Sequence, residues 1–174
     1  MGQLQGERSF HIFYQLLVGT TPEEKEKWYL WSPSDYTFFA GSGCYTVDVI
    51  DDVEEYNDMR KAMNTLSFEP QTQDSILQLI SAVMHLGNIQ FNENDQEQSS
   101  VVDPNTVQYA AYLLQVEPDV LTQVLTYRTM ITRTSKYDVP NSRLQAGLAR
   151  DALAKALYSR IFDYLVEQTN RALT

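Results

Sequence analysis

The sequence has 174 residues, of which 43% are hydrophobic and 21% charged, which is typical of a globular domain large enough to bury a sizeable core. Its net charge of −10 argues against nonspecific binding to nucleic acid, which needs cations to neutralise phosphates. One cysteine, Cys44, excludes an internal disulfide framework and a multi-cysteine zinc site, and no apolar run approaches the roughly 20 residues of a membrane span.

The first third of the chain begins with helical patterns. Apolar residues at helical spacing predict a helix over 7–18 that ends at Gly19. A second, short helix is predicted to start after Thr21, because Thr21 and Glu24 have the spacing of a capping box and Pro22 suits the first helical position.

The next segment is predicted to be irregular before two further helices. Proline, serine and glycine punctuate an aromatic stretch over 32–50, which predicts no regular element. Its Gly41-Ser42-Gly43 lacks the lysine and hydroxyl residue that follow in a phosphate-binding loop. Apolar faces predict a helix over 51–66, capped by an aspartate, and another that opens at Glu69-Pro70 and ends at Gly87.

Short elements follow in the middle of the chain. Residues 89–91 are predicted to form a single short strand, and 92–100, which have no apolar side chain, a solvated mobile loop. Aspartate-proline and glutamate-proline pairs predict helices over 103–114 and 117–125.

The last third changes in character. Residues 127–139 are rich in threonine, tyrosine, valine and isoleucine, which predicts a strand or hairpin. Residues 141–173 predict one helix about 50 Å long, whose broad apolar face needs neighbours on several sides. The fold class is therefore mainly α, with a small β-hairpin-like loop and a long C-terminal helix.

Charge is unevenly distributed along the chain. Residues 1–126 carry a net charge of −14, whereas 127–160 carry +5. We name the basic residues of this second range the basic island: Arg128, Arg133, Lys136, Arg143, Arg150, Lys155 and Arg160. The island indicates either an acidic partner that binds locally or one solvated helix face together with a loop.

Residues able to support catalysis or bind metal are scattered. His11 and His85 lie in apolar helical patterns without a cysteine or histidine at ligand spacing, so both are interpreted as core residues. The carboxylate pairs Glu23-Glu24 and Glu54-Glu55 lie at helix starts, where they favour the helix dipole. No complete catalytic constellation is predicted, and an independent enzyme has no support.

One candidate site lies inside the basic island. Ser135 follows Arg133 by two residues in a segment that continues with Lys136 and Tyr137. A basic-directed kinase could modify this serine, and the phosphate would add a charge of about −1.5 to −2. Such triplets are common and by themselves weak, but this one lies in the basic island.

Three motifs carry a resemblance to a known family. They are Gly6-Glu7-Arg8-Ser9-Phe10-His11-Ile12-Phe13-Tyr14-Gln15-Leu16-Leu17, His85-Leu86-Gly87-Asn88-Ile89-Gln90-Phe91 and Arg150-Asp151-Ala152-Leu153-Ala154-Lys155-Ala156-Leu157-Tyr158. In sequence, order and separation they resemble the myosin motor domain, in detail a class I myosin of amoeboid or fungal type. The resemblance covers essentially the whole chain.

The resemblance implies a fold and partners. Residues 1–174 would be part of the upper 50-kDa region of an actin-activated ATPase. Residues 127–139 would be the cardiomyopathy loop, which faces F-actin and presents Arg128, Arg133, Lys136 and Tyr137. The resemblance also implies the rest of the heavy chain as a partner, and a light chain or calmodulin that binds other parts of that heavy chain. The implied location is the actin cytoskeleton at the cell cortex, in the cytoplasm.

The resemblance also implies a regulatory role for Ser135. This serine lies sixteen residues before Asp151 of the Asp-Ala-Leu-Ala-Lys motif. In myosins, that position holds an acidic residue or a phosphorylatable serine or threonine. In class I myosins of simple eukaryotes, serine/threonine kinases activated by small GTPases phosphorylate it and switch on the actin-activated ATPase.

The sequence departs from the family at the nucleotide site. The phosphate loop Gly-Glu-Ser-Gly-Ala-Gly-Lys-Thr is absent. Switch I is expected before Met1 and switch II after Thr174, so no catalytic, cofactor-binding or metal-binding residue is assigned, and Mg-ATP belongs to the complete motor. The chain is not expected to hydrolyse ATP alone. The alternative to a motor part is a stand-alone helical interaction module that docks through the hairpin.

Overall fold

The computed structural model describes residues 8–40, 43–47 and 49–173. Gly6 and Glu7 of the first motif, and Gly41 and Ser42, lie outside the described residues. Within the described part, the α-helices are His11–Gly19 (α1), Pro22–Lys27 (α2), Thr37–Ala40 (α3), Asp52–Thr65 (α4), Pro70–Asn88 (α5), Pro104–Leu114 (α6), Pro118–Thr126 (α7) and Arg143–Ala172 (α8). The antiparallel strand pairs are Phe91–Glu93 (β1) with Ser99–Val101 (β2), and Tyr127–Ile131 (β3) with Lys136–Pro140 (β4).

Helix starts follow the local signals in the sequence. The Glu24 backbone N–H donates to the Thr21 hydroxyl at 3.2 Å, and the Thr21 N–H donates to the Glu24 carboxylate at 3.0 Å. The capping box predicted for α2 is therefore confirmed. Asp51 is the N-cap of α4, and its carboxylate accepts the Val53 and Glu54 N–H groups.

Helix α5 lies at the centre of the molecule and packs against α1, α3, α6 and α8. Its second half is buried on nearly all sides. Gly87 does not end α5 as predicted, because the helix continues to Asn88. A Cβ at Gly87 would lie 2.7 Å from the Phe38 ring, so the glycine allows close approach of this ring to the helix.

Two predictions of irregular structure are wrong in part, although the described residues 43–47, 49–50 and 94–98 form no helix or strand. Within 32–50 the chain forms a 3-10 helix at Pro33–Asp35 and then α3, where burial of Tyr36 and Phe39 in the core stabilises compact turns. Residues 89–91 are not a lone strand and 92–100 are not simply a loop, because β1 pairs with β2. The Ser99 N–H donates to the Asn141 carbonyl at 2.9 Å, a long-range contact that local composition does not reveal.

Helix α8 has 30 residues and is about 45 Å long. It packs against α5 and α7, and Ala146, Ala154 and Ile161 are buried along it. Leu144 and Leu148 remain 72% and 60% exposed. The described residues therefore cover only part of its apolar surface. The predicted fold class is confirmed: mainly helical, with a small hairpin and a long C-terminal helix.

Candidate functional site

The hairpin formed by β3 and β4 is the most exposed regular element of the described chain. Its strands pair from Tyr127 with Pro140 to Ile131 with Lys136, and 132–135 form the turn. Every residue from 127 to 138 is exposed, so the hairpin projects from the helical core. An isolated hairpin is only marginally stable in water, which means that its base must be fixed by other contacts.

Buried Asn141 fixes that base. Its backbone N–H donates to the Thr126 carbonyl at 2.7 Å, and its side-chain amide donates to the Leu125 carbonyl at 3.0 Å. Asn141 is 4% exposed, so these hydrogen bonds are shielded from water. They hold the end of α7 against the start of α8, and the two strands emerge from this junction.

Arg128 adds a second clamp at the base of the hairpin. Its Nη1 lies 2.7 Å from Gln145 Oε1, 3.1 Å from Asn141 Oδ1 and 3.1 Å from the Pro140 carbonyl oxygen. Gln145 belongs to the first turn of α8 and also accepts the Ser142 N–H. Arg128 thus links β3 to α8, and this geometry gives it a role in orienting the hairpin.

The other predicted contact residues lie towards the tip. Arg133 is in the turn, Lys136 is opposite Ile131, and Tyr137 is opposite Met130. Successive strand residues alternate between faces, so Lys136 and Tyr137 point to opposite faces of the hairpin. Within the described ranges, neither Arg133 nor Lys136 makes a side-chain hydrogen bond or ion pair. Their charges are available to a partner.

Ser135 is held by Thr132 across the turn. The Thr132 N–H donates to the Ser135 carbonyl at 2.8 Å, and the Ser135 N–H donates to the Thr132 hydroxyl at 3.0 Å. The two hydroxyl oxygens are 2.8 Å apart, and the Thr132 hydroxyl is 3.1 Å from the Ser135 carbonyl oxygen. The candidate phosphorylation site is therefore exposed and yet tied into a closed turn.

The basic island separates into different environments. Arg150 Nη1 donates to the Ile89 carbonyl at 2.7 Å, and its Nε and Nη2 donate to Asp151 at 2.9 and 2.7 Å. This residue joins α8 to the end of α5. Lys155 and Arg160 are exposed on α8. Only Arg133 and Lys136 of the island lie at the hairpin tip.

The two histidines differ from each other. His85 is 1% exposed and its Nε2 donates to the Tyr29 carbonyl at 2.8 Å. Burial among Trp31, Tyr36 and Tyr109 lowers the pKa of His85 to about 4, an effect that the hydrogen bond partly opposes. His85 is confirmed as a core residue, whereas His11 is exposed and that prediction is wrong.

The described residues contain no group of three or more histidine, cysteine, aspartate or glutamate side chains able to hold a metal ion. Across the same residues, the helices are too short or too polar to cross a bilayer.

Sequence reasoning missed three residues of the site. Asn141 gave no local signal, because its partner Leu125 is sixteen residues away. Thr132 contributes to the strand-like composition of 127–139, but its contacts with Ser135 depend on the geometry of the turn. The contribution of Gln145 could have been found, since Ser142 and Gln145 have capping-box spacing.

Comparisons with known proteins agree with the three motifs. The family model "Myosin head (motor domain)" matches residues 1–174. The Myosin IB heavy chain of Dictyostelium discoideum is 41% identical over 180 aligned positions, covering 99% of this chain and 16% of that protein. Myosin-1 of Aspergillus terreus is 39% identical and Myosin-1 of Mycosarcoma maydis is 39% identical, covering 100% and 98% of this chain.

The chain spans 14% to 16% of the length of these relatives. The resemblance to amoeboid and fungal class I myosins, stated from the motifs, is confirmed by the amoeboid and fungal relatives. This chain belongs to the myosin head (motor domain) family.

Proposed function

We propose that this chain is part of the upper 50-kDa region of a class I myosin, an actin-based motor driven by ATP, and that the hairpin of β3 and β4 contacts F-actin. The observation that carries the proposal is the hairpin itself: it is anchored at its base, exposed from residue 127 to 138, and presents Arg133 and Lys136 at its tip without intramolecular partners in the described chain. Exposed cations of this kind favour an acidic surface.

Nucleotide chemistry is assigned to the complete motor. ATP and Mg²⁺ need a phosphate cradle and metal ligands, and the phosphate loop of the family is absent from this sequence. No residue of this chain is therefore given a catalytic role. The rest of the heavy chain is the partner of the helical core, a light chain or calmodulin binds elsewhere on it, and the motor acts at the cortical actin cytoskeleton in the cytoplasm.

Ser135 is the regulatory residue in this proposal. A phosphate there adds about −1.5 to −2 charge to a turn that also contains Arg133 and is followed by Lys136. The phosphate alters how these cations meet actin, either by pairing with them or by offsetting their charge. A serine/threonine kinase would in this way control either the contact between the hairpin and actin or the actin-accelerated release of products from the complete motor.

The actin contact is tested by co-sedimentation of the full-length protein with F-actin without nucleotide. We expect Arg133→Ala and Lys136→Ala each to weaken binding by about threefold to tenfold at low ionic strength, and by much less at about 0.5 M salt, because exposed charges are screened. Lys155→Ala is the matched control, since it removes the same charge from an exposed position on α8. A loss of affinity that does not change with salt, or an equal loss in the control, would contradict the contact.

A further inference from the structure

The hydrogen-bonding capacity of the turn restricts the Ser135 hydroxyl. Each hydroxyl has one hydrogen to donate and two lone pairs to accept. All contacts between Thr132 and Ser135 are satisfied when the Ser135 N–H and Ser135 Oγ–H both donate to Thr132 Oγ1, and Thr132 Oγ1–H donates to the Ser135 carbonyl. The proton of the serine hydroxyl is then directed at Thr132.

Phosphorylation needs that hydroxyl in a different arrangement. Transfer forms a bond between Ser135 Oγ and the γ-phosphorus of ATP, breaks the bond from that phosphorus to the bridging oxygen of ADP, and passes the hydroxyl proton to the catalytic base of the kinase. The attacking and leaving oxygens must be roughly in line, and the base must reach the proton. A proton donated to Thr132 Oγ1 is not available to that base.

We propose that Thr132 is a positioning residue that locks the Ser135 hydroxyl in the closed turn, so that Ser135 accepts phosphate only after this contact opens. This inference rests on the proposed role of Ser135. Once phosphorylated, the serine has no hydroxyl proton and the hydrogen bond from Ser135 Oγ to Thr132 is lost. The turn thus differs between unphosphorylated and phosphorylated Ser135, and Thr132 sets the rate at which Ser135 is phosphorylated.

The lock is tested by the rate at which a purified arginine-directed serine/threonine kinase transfers radiolabelled phosphate to the full-length protein. Thr132→Val removes the hydroxyl and keeps the β-branched shape. We expect it to raise the kcat/KM for phosphorylation of Ser135 by about fivefold, the factor that one net hydrogen bond is worth. Incorporation into Ser135→Ala gives the background to subtract.

Two variants separate the lock from general loosening of the hairpin. Thr132→Ser retains the hydroxyl and should keep the wild-type rate. Thr129→Val removes another hydroxyl of the hairpin, which bonds to Asp138 at 2.8 Å and not to Ser135, and should leave the rate unchanged. Where wild type is labelled at Ser135, an unchanged or lower rate for Thr132→Val, or an equal rise for Thr129→Val, would overturn the lock.

Hydrogen exchange measures the lock without a kinase. The Ser135 amide donates to the Thr132 hydroxyl, so its exchange should be faster in Thr132→Val than in wild type and Thr132→Ser. Equal exchange in all three would overturn the lock whether or not Ser135 is phosphorylated. Faster exchange with no Ser135-specific label in any variant would instead retain the lock and refute the proposed phosphorylation switch.

Discussion

Arg128, Arg133 and Lys136 all carry a positive charge on the same hairpin, but their surroundings give them different tasks. The guanidinium of Arg128 is bonded to three oxygens at the base. The other two side chains extend from the turn and from the start of β4 without such contacts among the described residues. The resemblance implied that all three are actin contacts, because a place in the family's loop carries no information on the hydrogen bonds that hold Arg128.

His85 supplies a pH test at the residue scale. Its pKa is about 4 in the folded chain against 6.5 for an unperturbed histidine, because burial disfavours the charged imidazolium. Between those values the unfolded chain binds a proton that the folded chain does not. The free energy of unfolding should therefore fall as the pH drops from about 6.5 to 4, by up to about 3 kcal/mol from this residue.

The measurement is the urea unfolding midpoint of the isolated chain against pH, for wild type and His85→Gln. Glutamine does not titrate and retains a donor for the Tyr29 carbonyl, so the variant should lose less stability over this range. Both proteins have the same carboxylates, so a difference between their changes in stability with pH comes from His85. Parallel pH profiles for the two proteins would refute the burial effect.

At the scale of elements, the hairpin depends on its base. Replacing Arg128 by glutamine removes the link from β3 to the first turn of α8. We expect backbone amides over 127–140 to exchange roughly tenfold faster, the factor that corresponds to loss of one hydrogen bond from a charged group. Exchange followed by mass spectrometry reports on these strands directly.

Arg133→Gln is the control for this prediction, because it makes the same replacement in the turn. Its strand amides should exchange as in wild type. If Arg128→Gln leaves the exchange unchanged, Arg128 does not hold the hairpin and its role as a direct actin contact is favoured instead.

Element starts were predictable wherever the signal is local. A proline directly after the N-cap position marks the starts of α2, α5, α6 and α7 as predicted, since proline suits the first turn and lacks the N–H that would be unpaired there. Elements whose stability comes from distant partners were missed. Helix α3 depends on burial of its aromatic side chains, and β2 on pairing with β1 and on Asn141.

At the scale of the whole molecule, α8 presents more apolar surface than its described neighbours cover. Leu144, Leu148 and Phe162 are all more than half exposed. The sequence predicted that this helix needs neighbours on several sides, and the exposed side chains agree with that expectation. A motor part packed against the rest of a heavy chain accounts for such a helix better than a stand-alone module does.

Self-association of the isolated chain tests this exposure. We expect the chain to associate as its concentration rises in sedimentation velocity, since leucine side chains gain free energy when they leave water. Leu144→Gln combined with Leu148→Gln should weaken association by roughly tenfold or more, whereas Lys155→Gln on the same helix should not. A wild-type chain that stays monomeric at every concentration would favour the stand-alone module.

The central claim is that Ser135 controls an actin-contacting hairpin, and the actin-activated ATPase of the full-length motor tests it most directly. At saturating actin, Ser135→Ala should have an activity about fivefold or more below that of the phosphorylated wild type. About fivefold is the lower bound of typical regulatory coupling. Ser135→Glu should preserve much of the wild-type activity. Thr134→Ala, which removes the neighbouring hydroxyl of the same turn, should behave as wild type. Equal activity of Ser135→Ala and Ser135→Glu at saturating actin would contradict the claim.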